Sequence, residues 1–403
     1  MRLPILRFFL IFLLWGTSSL LSQKGESPLK IFGYFQTSFQ QWTELKFKTS
    51  HPEIFEPETQ PANNTFNTQQ LNTFFRKDLA RDWRAFINFE ILNTFSSARN
   101  WGSFNLEEAW VRYRASDQFK LQIGLLIPIF NNLNEIKNRT PILPYIVRPI
   151  VYESSFSEFF DPVEIVVPNR AWIQVSGSIP AKYNLKYDYA VYLGNSPNIS
   201  RGQEEGQSGV DTTATFLIGG RLGIRYKDLK IGISATHDRV NQEEKFIIDG
   251  NPVYLINFDE ASRIRLGADL SFRIQKFSFE GEYIKLDHKD NDPDIDFSGY
   301  FIYGTGGINI TDHLLLYASY QYLEAKFPFF LTDIPSVIIN TSVQDLKLPT
   351  FGIAYHLNDR IVFKGQYAKV ILNDDFPLTP VVDEVASTNS KFDVFAIAVS
   401  VFF

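Results

Sequence analysis

From residue 28 onward the chain is written with a period of two. In "DWRAFINFEIL", Trp83, Ala85, Ile87, Phe89 and Ile91 share one face, and Arg84, Phe86, Asn88 and Glu90 share the other. Successive side chains of a strand point to opposite faces, so this pattern describes a sheet with one apolar and one wet side. The same alternation places Ile264, Leu266, Ala268, Leu270 and Phe272 against Arg263, Arg265, Gly267, Asp269 and Arg273. It recurs in "KFSFEGEY", in "DRIVFKGQYAKV" and in the closing "KFDVFAIAVSVFF". Sixteen such segments are expected, near 30–40, 65–76, 83–94, 104–114, 119–128, 168–179, 184–194, 216–226, 229–238, 261–273, 276–287, 297–309, 313–325, 344–355, 359–371 and 391–403.

The connections alternate in length. Short ones such as "KDLARD", "ASDQ", "YKD" and "HLND" separate longer ones at 41–64, 95–103, 129–167, 195–215, 239–260, 288–296, 326–343 and 372–390. Past the N-terminus no segment reaches the 18 or so apolar residues that a membrane helix needs, which leaves strands as the means of crossing. An even strand number with alternating turn and loop lengths predicts an all-β fold, a transmembrane antiparallel β-barrel with short periplasmic turns and long outer loops. Aromatic residues near the segment ends fit interfacial girdles: Trp83, Tyr113, Tyr187, Tyr226, Tyr283, Tyr355 and Tyr367.

The N-terminus adds a compartment. Arg2 and Arg7 precede an apolar run from Phe8 to Trp15, followed by small and polar residues to Ser22. That is the layout of a secretory signal peptide, expected to span 1–22, with 23–403 as one barrel domain. The C-terminus completes the picture. Phe395, Ile397, Val399, Val401 and Phe403 form one face, while Ala396, Ala398, Ser400 and Phe402 form the other. A last strand of this kind is expected to pair with the first, because an open edge is not tolerated in lipid. A terminal Phe403 also suits recognition by barrel assembly machinery.

The stretch "FNLEEAWVRYRASDQFKLQIGLLIPIFNN" (104–132) resembles a hairpin of the phosphate-selective porin O and P family. Glu108, Ala109, Trp110, Val111, Tyr113, Leu121, Ile123, Gly124 and Pro128 carry the likeness. The resemblance implies a sixteen-stranded homotrimeric channel in the outer membrane of a Gram-negative-type cell. It also implies that the long loop 129–167 folds into the lumen. No compact arginine ladder of the family's kind can be aligned, so the resemblance does not extend to phosphate specificity.

Strand parity assigns an inward set. Its cations are Arg84, Arg112, Arg114, Lys120, Arg170, Lys186, Arg221, Arg225, Lys230, Arg263, Arg265 and Lys364, and its anions are Glu90, Glu108, Asp188, Asp269, Glu280 and Glu282. This is a basic lining inside a chain whose formal net charge is −6. Basic rings in a narrow passage favour small anionic solutes, because screening is weak there. The alternative is pairing across strands, with Glu108 answering Arg84 or Lys120. The long loop divides by charge into Lys137, Arg139 and Arg148, then Glu153, Glu158 and Asp161. These residues are expected at the constriction.

The segment "FNTQQLNTFFRK" is polar on both faces. Asn67, Gln69 and Thr73 would sit on the lipid side, which suggests cover by a neighbouring subunit or by the chain's own loop. Other chemistry finds little support. There is no Cys, the five His include no HExxH, and "DHKDNDPDID" reads as a solvated acidic loop. No catalytic motif, metal site or cofactor is expected, and the acidic balance excludes nucleic acid as a partner. The functional expectation is passive passage of small hydrophilic solutes with anions favoured. A surface receptor or adhesin anchored by a barrel is the alternative, and a barrel hydrolase a more distant one.

Overall fold

The computed structural model describes residues 27–50, 59–92, 103–136, 139–152, 167–168, 170–196, 213–248, 251–289, 296–330, 338–377 and 385–403. The segment 1–22 and the loop residues Lys137, Glu153, Glu158 and Asp161 lie outside these ranges.

Sixteen antiparallel strands close on themselves. In chain order they are β1 (Lys30–Trp42), β2 (Asn63–Ala80), β3 (Trp83–Leu92), β4 (Ser103–Arg114), β5 (Lys120–Leu126), β6 (Ala171–Pro180), β7 (Leu185–Gly194) and β8 (Leu217–Tyr226). They continue as β9 (Leu229–Ile248), β10 (Asn251–Ile274), β11 (Phe277–Lys289), β12 (Phe297–Asn309) and β13 (Leu314–Phe330). The last three are β14 (Ile338–Lys347 and Thr350–Asn358), β15 (Ile361–Pro377) and β16 (Val385–Phe402). β14 is one strand in two runs, interrupted at Leu348 and Pro349, because proline has no N–H for the ladder. Leu45–Thr49 and Thr59–Gln60 continue the first hairpin beyond β1 and β2.

Each strand pairs with its chain neighbours, and β1 pairs with both β2 and β16. Closure runs from Trp42↔Val394 to Tyr34↔Phe402. It ends in a reciprocal pair, Gly33 N to Phe403 O at 2.9 Å and Phe403 N to Gly33 O at 3.0 Å. The closing strand leaves no unpaired edge at the seam, as its alternating sequence anticipates.

Parity decides which face looks outward. Ile87, Ile91, Ile218, Leu222, Ile264, Leu266, Phe363, Phe395 and Ile397 are exposed on the exterior. Asn88, Glu90, Arg263, Arg265, Asp269, Ala396, Ala398 and Ser400 are buried on the interior. Exposed aromatics Trp83, Tyr187, Tyr226 and Tyr355 collect at the end with the short turns. An exterior this continuously apolar is suited to hydrocarbon rather than water.

Two expectations need correction. The connections 239–260 and 372–390 are largely strand: β9 and β10 stay paired out to Ile248↔Asn251, and β15 and β16 to Pro377↔Val385. Backbone pairing does not require an alternating face, so the strands continue past the point where alternation of hydrophobicity stops, as in "NQEEKFII" and "NPVYLINF". The second correction concerns β2. A bulge between the pairs Gln36↔Gln70 and Thr37↔Thr68 turns Gln69 inward beside Gln70. Gln69 accepts from Gln36 Nε2 at 2.5 Å and donates to Ile146 O at 2.8 Å. Its polarity therefore serves the barrel interior, and only Thr73, opposite Gly33, keeps the outward parity read from sequence. An inserted residue reverses the parity on one side of a bulge, which a strict two-residue rule cannot anticipate.

Candidate functional site

The interior is occupied by the segment 127–152, which leaves β5 and runs against inward side chains from nearly the whole circumference. Gln174 of β6 accepts Ile129 N at 2.9 Å, and Ser234 of β9 accepts Asn131 N at 3.0 Å. Glu282 of β11 accepts Asn132 N at 2.9 Å, Leu133 N at 2.7 Å and the Tyr152 hydroxyl at 2.7 Å. Glu280 accepts the Tyr145 hydroxyl. Gln321 of β13 accepts Ile150 N at 2.7 Å. Gln366 of β15 accepts Ile146 N at 2.6 Å and Val147 N at 2.9 Å, and donates to Val147 O at 3.0 Å. Gln70 of β2 accepts Thr140 N at 3.1 Å. Among the described residues the segment makes three short 3₁₀ turns, which leave much of its backbone without an internal partner. Wall side chains supply what secondary structure would otherwise supply.

Packing holds the same segment. Phe130, Leu133, Leu143, Tyr145, Val147 and Ile150 form a buried cluster with inward residues of β11 to β16. Those residues include Ile284, Phe301, Tyr303, Tyr317, Leu346 and Val370. Burial, together with the carboxylates they face, pushes the Tyr145 and Tyr152 hydroxyls above their ordinary range, so both remain protonated donors.

Ten of the twelve expected cations fall into three groups; of the other two, Arg114 pairs with Asp117 in the turn and Lys230 is exposed. Lys364 is a clasp for the loop: its Nζ donates to Gln36 Oε1 at 2.7 Å, Thr140 O at 3.0 Å and Pro141 O at 3.1 Å, and it is only 4% exposed. Five arginines are tied to aspartates of the wall. Arg84 meets Asp78 at 2.6 Å, and Arg225 meets Asp188 at 2.5 Å. Arg221 takes Asp269 in a two-pronged grip at 2.6 and 2.9 Å. Arg263 and Arg265 converge on Asp238, the latter at 3.0 Å, and all three are fully buried. The Arg221 guanidinium lies flat across the wall because Gly232 has no side chain. A Cβ there would fall 2.6 Å from Arg221 Cζ and from Asp269 Oδ2.

The third group is open. Arg112 rests on the Trp110 ring at 4.5 Å, opposite Arg84 in register. Lys120 and Arg170 are half-buried, and Lys186 is exposed beside Arg225. Across from this arc Glu135 of the inserted segment is exposed. Of the loop cations, Arg139 bonds Glu108 at 2.9 Å, which removes that carboxylate from Arg84 and Lys120, and Arg148 is buried. Sequence reasoning missed the glutamine set Gln36, Gln70, Gln174, Gln321 and Gln366. Their signal was present: neutral amides at inward parity on well-separated strands, able to accept and donate toward a backbone.

An inward aromatic row flanks this arc. Phe402, Tyr34, Phe74, Phe86 and Trp110 run across β16, β1, β2, β3 and β4 with centroid spacings of 6.1, 5.2, 5.6 and 4.9 Å. Gly124, held at φ 127°, lets β5 pass directly over the backbone of Ala109 and Trp110.

Comparison with solved structures places this architecture among outer-membrane barrels. The channel DcaP of Acinetobacter baumannii matches with a TM-score of 0.56 at 10% identity, over 95% of this chain and 99% of that one. OmpT, an outer membrane protein of Vibrio cholerae, matches at 0.55 and 11%, over 95% and 99%. The anion-selective porin of Comamonas acidovorans matches at 0.52 and 12%, over 94% and 100%. At these identities the likeness is one of fold. No family model and no curated protein sequence matches the chain.

Proposed function

We propose that this chain is an outer-membrane diffusion channel for small hydrophilic solutes, with a preference for anions. The observation that carries the reading is the asymmetric interior of a closed, apolar-skinned barrel. The inserted segment packs its apolar side chains on the inner wall of β11–β16, whereas on the β3–β8 side Arg112 and Lys120 stay partly exposed and Lys186 exposed. The fold shared with DcaP and the Comamonas porin supports the same reading.

The mechanism follows from the side chains. A solute enters the water between the inserted segment and the β3–β8 arc. Arg112, Lys120, Arg170 and Lys186 make no direct ion pair among the described residues, although Glu135 faces Arg112 and Asp117 lies near Lys120 and Lys186. Low-dielectric walls on both sides weaken screening, so an anion gains more from them than it would in bulk water. Arg84, Arg221 and Arg225 keep aspartate partners and contribute mainly wall dipoles. Phosphate or carboxylate is the solute class that planar and ammonium donors of this kind serve. A homotrimer, secretion through a cleaved 1–22 segment, and assembly through Phe403 belong to the same proposal. We read the chain as non-enzymatic.

The test is conductance in planar bilayers with reversal potentials in a salt gradient. The reading expects stepwise channels and a reversal potential of anion-selective sign. Cation selectivity would reject the preference, and absence of channels would favour a receptor role. The paired extensions of β9 and β10 give that second reading its material, since they carry a hairpin well past the rest of the wall.

A further inference from the structure

The exterior at the long-loop end is lined with lysines, and several of them carry their own carboxylate. Lys285 lies 2.8 Å from Asp287, Lys347 lies 3.2 Å from Asp345, and Lys326 lies 3.9 Å from Glu324. One arc differs. Lys391 of β16 stands directly opposite Lys46 of the β1 extension, and Lys48 stands opposite Asn389. Lys369 of β15 stands opposite Asp393, on the same outward parity. Asp393 is engaged by the Tyr367 hydroxyl at 2.9 Å, and Lys46 has Glu44 at 2.9 Å. Lys48, Lys369 and Lys391 make no ion pair among the described residues, and all three are exposed. Like charges directly opposite in a sheet are destabilising, and Glu44 answers only Lys46, so a further anion beside Lys391 would be stabilising.

The surface beneath these lysines says what kind. Toward the short-turn end the same outward rows continue as Phe395, tilted against Tyr367 with ring centroids 4.9 Å apart, then Ile397 and Phe363; the two phenylalanines and the isoleucine are exposed. Charge above and an aliphatic and aromatic strip below is the outline of a headgroup with acyl chains. We propose that Lys46, Lys48, Lys369 and Lys391 clasp the phosphate of an outer-leaflet lipid whose chains lie along Phe395, Ile397 and Phe363. This rests on the outer-membrane reading above. Each lysine near an anionic membrane surface contributes enough to change affinity about five-fold.

The experiment uses the full mature chain folded into phosphatidylcholine vesicles doped with phosphatidic acid, then extracted in mild detergent. Lipid phosphate retained per barrel is measured by native mass spectrometry. Lys46→Gln with Lys391→Gln is expected to lower retention by about five-fold per lysine. Lys285→Gln with Lys326→Gln should leave it unchanged. Both variants should keep wild-type conductance, since none of these side chains faces the interior. Unchanged retention in the first pair, equal loss in both pairs, or displacement of the lipid by inorganic phosphate would overturn the proposal. Wild-type channels without lysine-dependent retention would defeat this site alone, whereas lysine-dependent retention without channels would defeat the proposed function alone.

Discussion

Along β11–β16 the inward positions include Ile284, Leu286, Phe301, Tyr303, Leu346 and Val370, whereas along β3–β8 they include Arg84, Arg112, Gln122, Lys186 and Arg225. Both arcs belong to one closed sheet with the same parity, and both are apolar outside. The difference teaches that the inner wall is written for what touches it. The apolar arc is a docking face for the inserted segment, with Glu282, Gln321 and Gln366 placed within it to receive backbone N–H groups. The segment touches the basic arc at isolated polar points, Gln174, Glu108 and Arg221, while Arg112, Lys120 and Lys186 keep partial or full exposure.

The strongest way to break this contrast is to put a charge where the loop docks. Phe301→Asp should unseat the segment at a cost of about 3–5 kcal/mol, the range for an unpaired buried charge. The same substitution at Lys186 should cost less than about 0.5 kcal/mol, as for ordinary surface changes. Denaturant unfolding in lipid or detergent, read by tryptophan fluorescence, compares the two. Next in size is Glu282→Ala, which strands two backbone donors and the Tyr152 hydroxyl. A loss of about 2–3 kcal/mol is expected, with larger and noisier single-channel conductance. Glu282→Gln keeps one acceptor oxygen and should lose about half as much. Gly232→Val should displace Arg221 from Asp269 and cost about 1–3 kcal/mol, with little change in loop seating.

Alkaline pH sharpens the contrast further. The Tyr145 and Tyr152 hydroxyls titrate above their ordinary value of 10.0 in the folded chain, so their contribution is complete below that pH and declines as pH rises beyond it. The tyrosine share of loop seating, read as the difference in channel noise between the parent chain and Tyr145→Phe with Tyr152→Phe, should be unchanged up to about pH 10 and shrink above it. The smallest structural effect and the clearest functional one belong to the open arc. Arg112→Glu with Lys186→Glu should move the reversal potential toward cation selectivity while stability changes by less than about 1 kcal/mol.

Much of this fold is legible in the chain. The outward row Phe395, Ile397, Phe403 and the inward row Ala396, Ala398, Ser400 are stated by alternation alone. The hairpin 104–132 leads into the inserted segment. Three features were not legible, each for a physical reason. Strand extensions such as 241–248, "NQEEKFII", bunch polar and apolar residues instead of alternating them, and backbone pairing alone leaves no period of two. The bulge at Gln69 breaks the two-residue count from within. Lys364 and Gln366 look like lumen-facing polar residues in "DRIVFKGQYAKV", and only the path of the loop shows that they hold carbonyl and amide groups.

Because the chain has no cysteine of its own, introduced thiols report on the interior without background. Single variants Lys120→Cys and Lys186→Cys, set beside Ile284→Cys and Phe301→Cys, can be challenged with a water-soluble, membrane-impermeant thiosulfonate in reconstituted barrels. We expect the first two to react readily and to shift conductance. The second two should stay unreactive until Glu282→Ala is added. Reaction at Ile284→Cys and Phe301→Cys in the otherwise intact protein, at rates matching the basic arc, would contradict a segment that seals one wall and leaves the other wet.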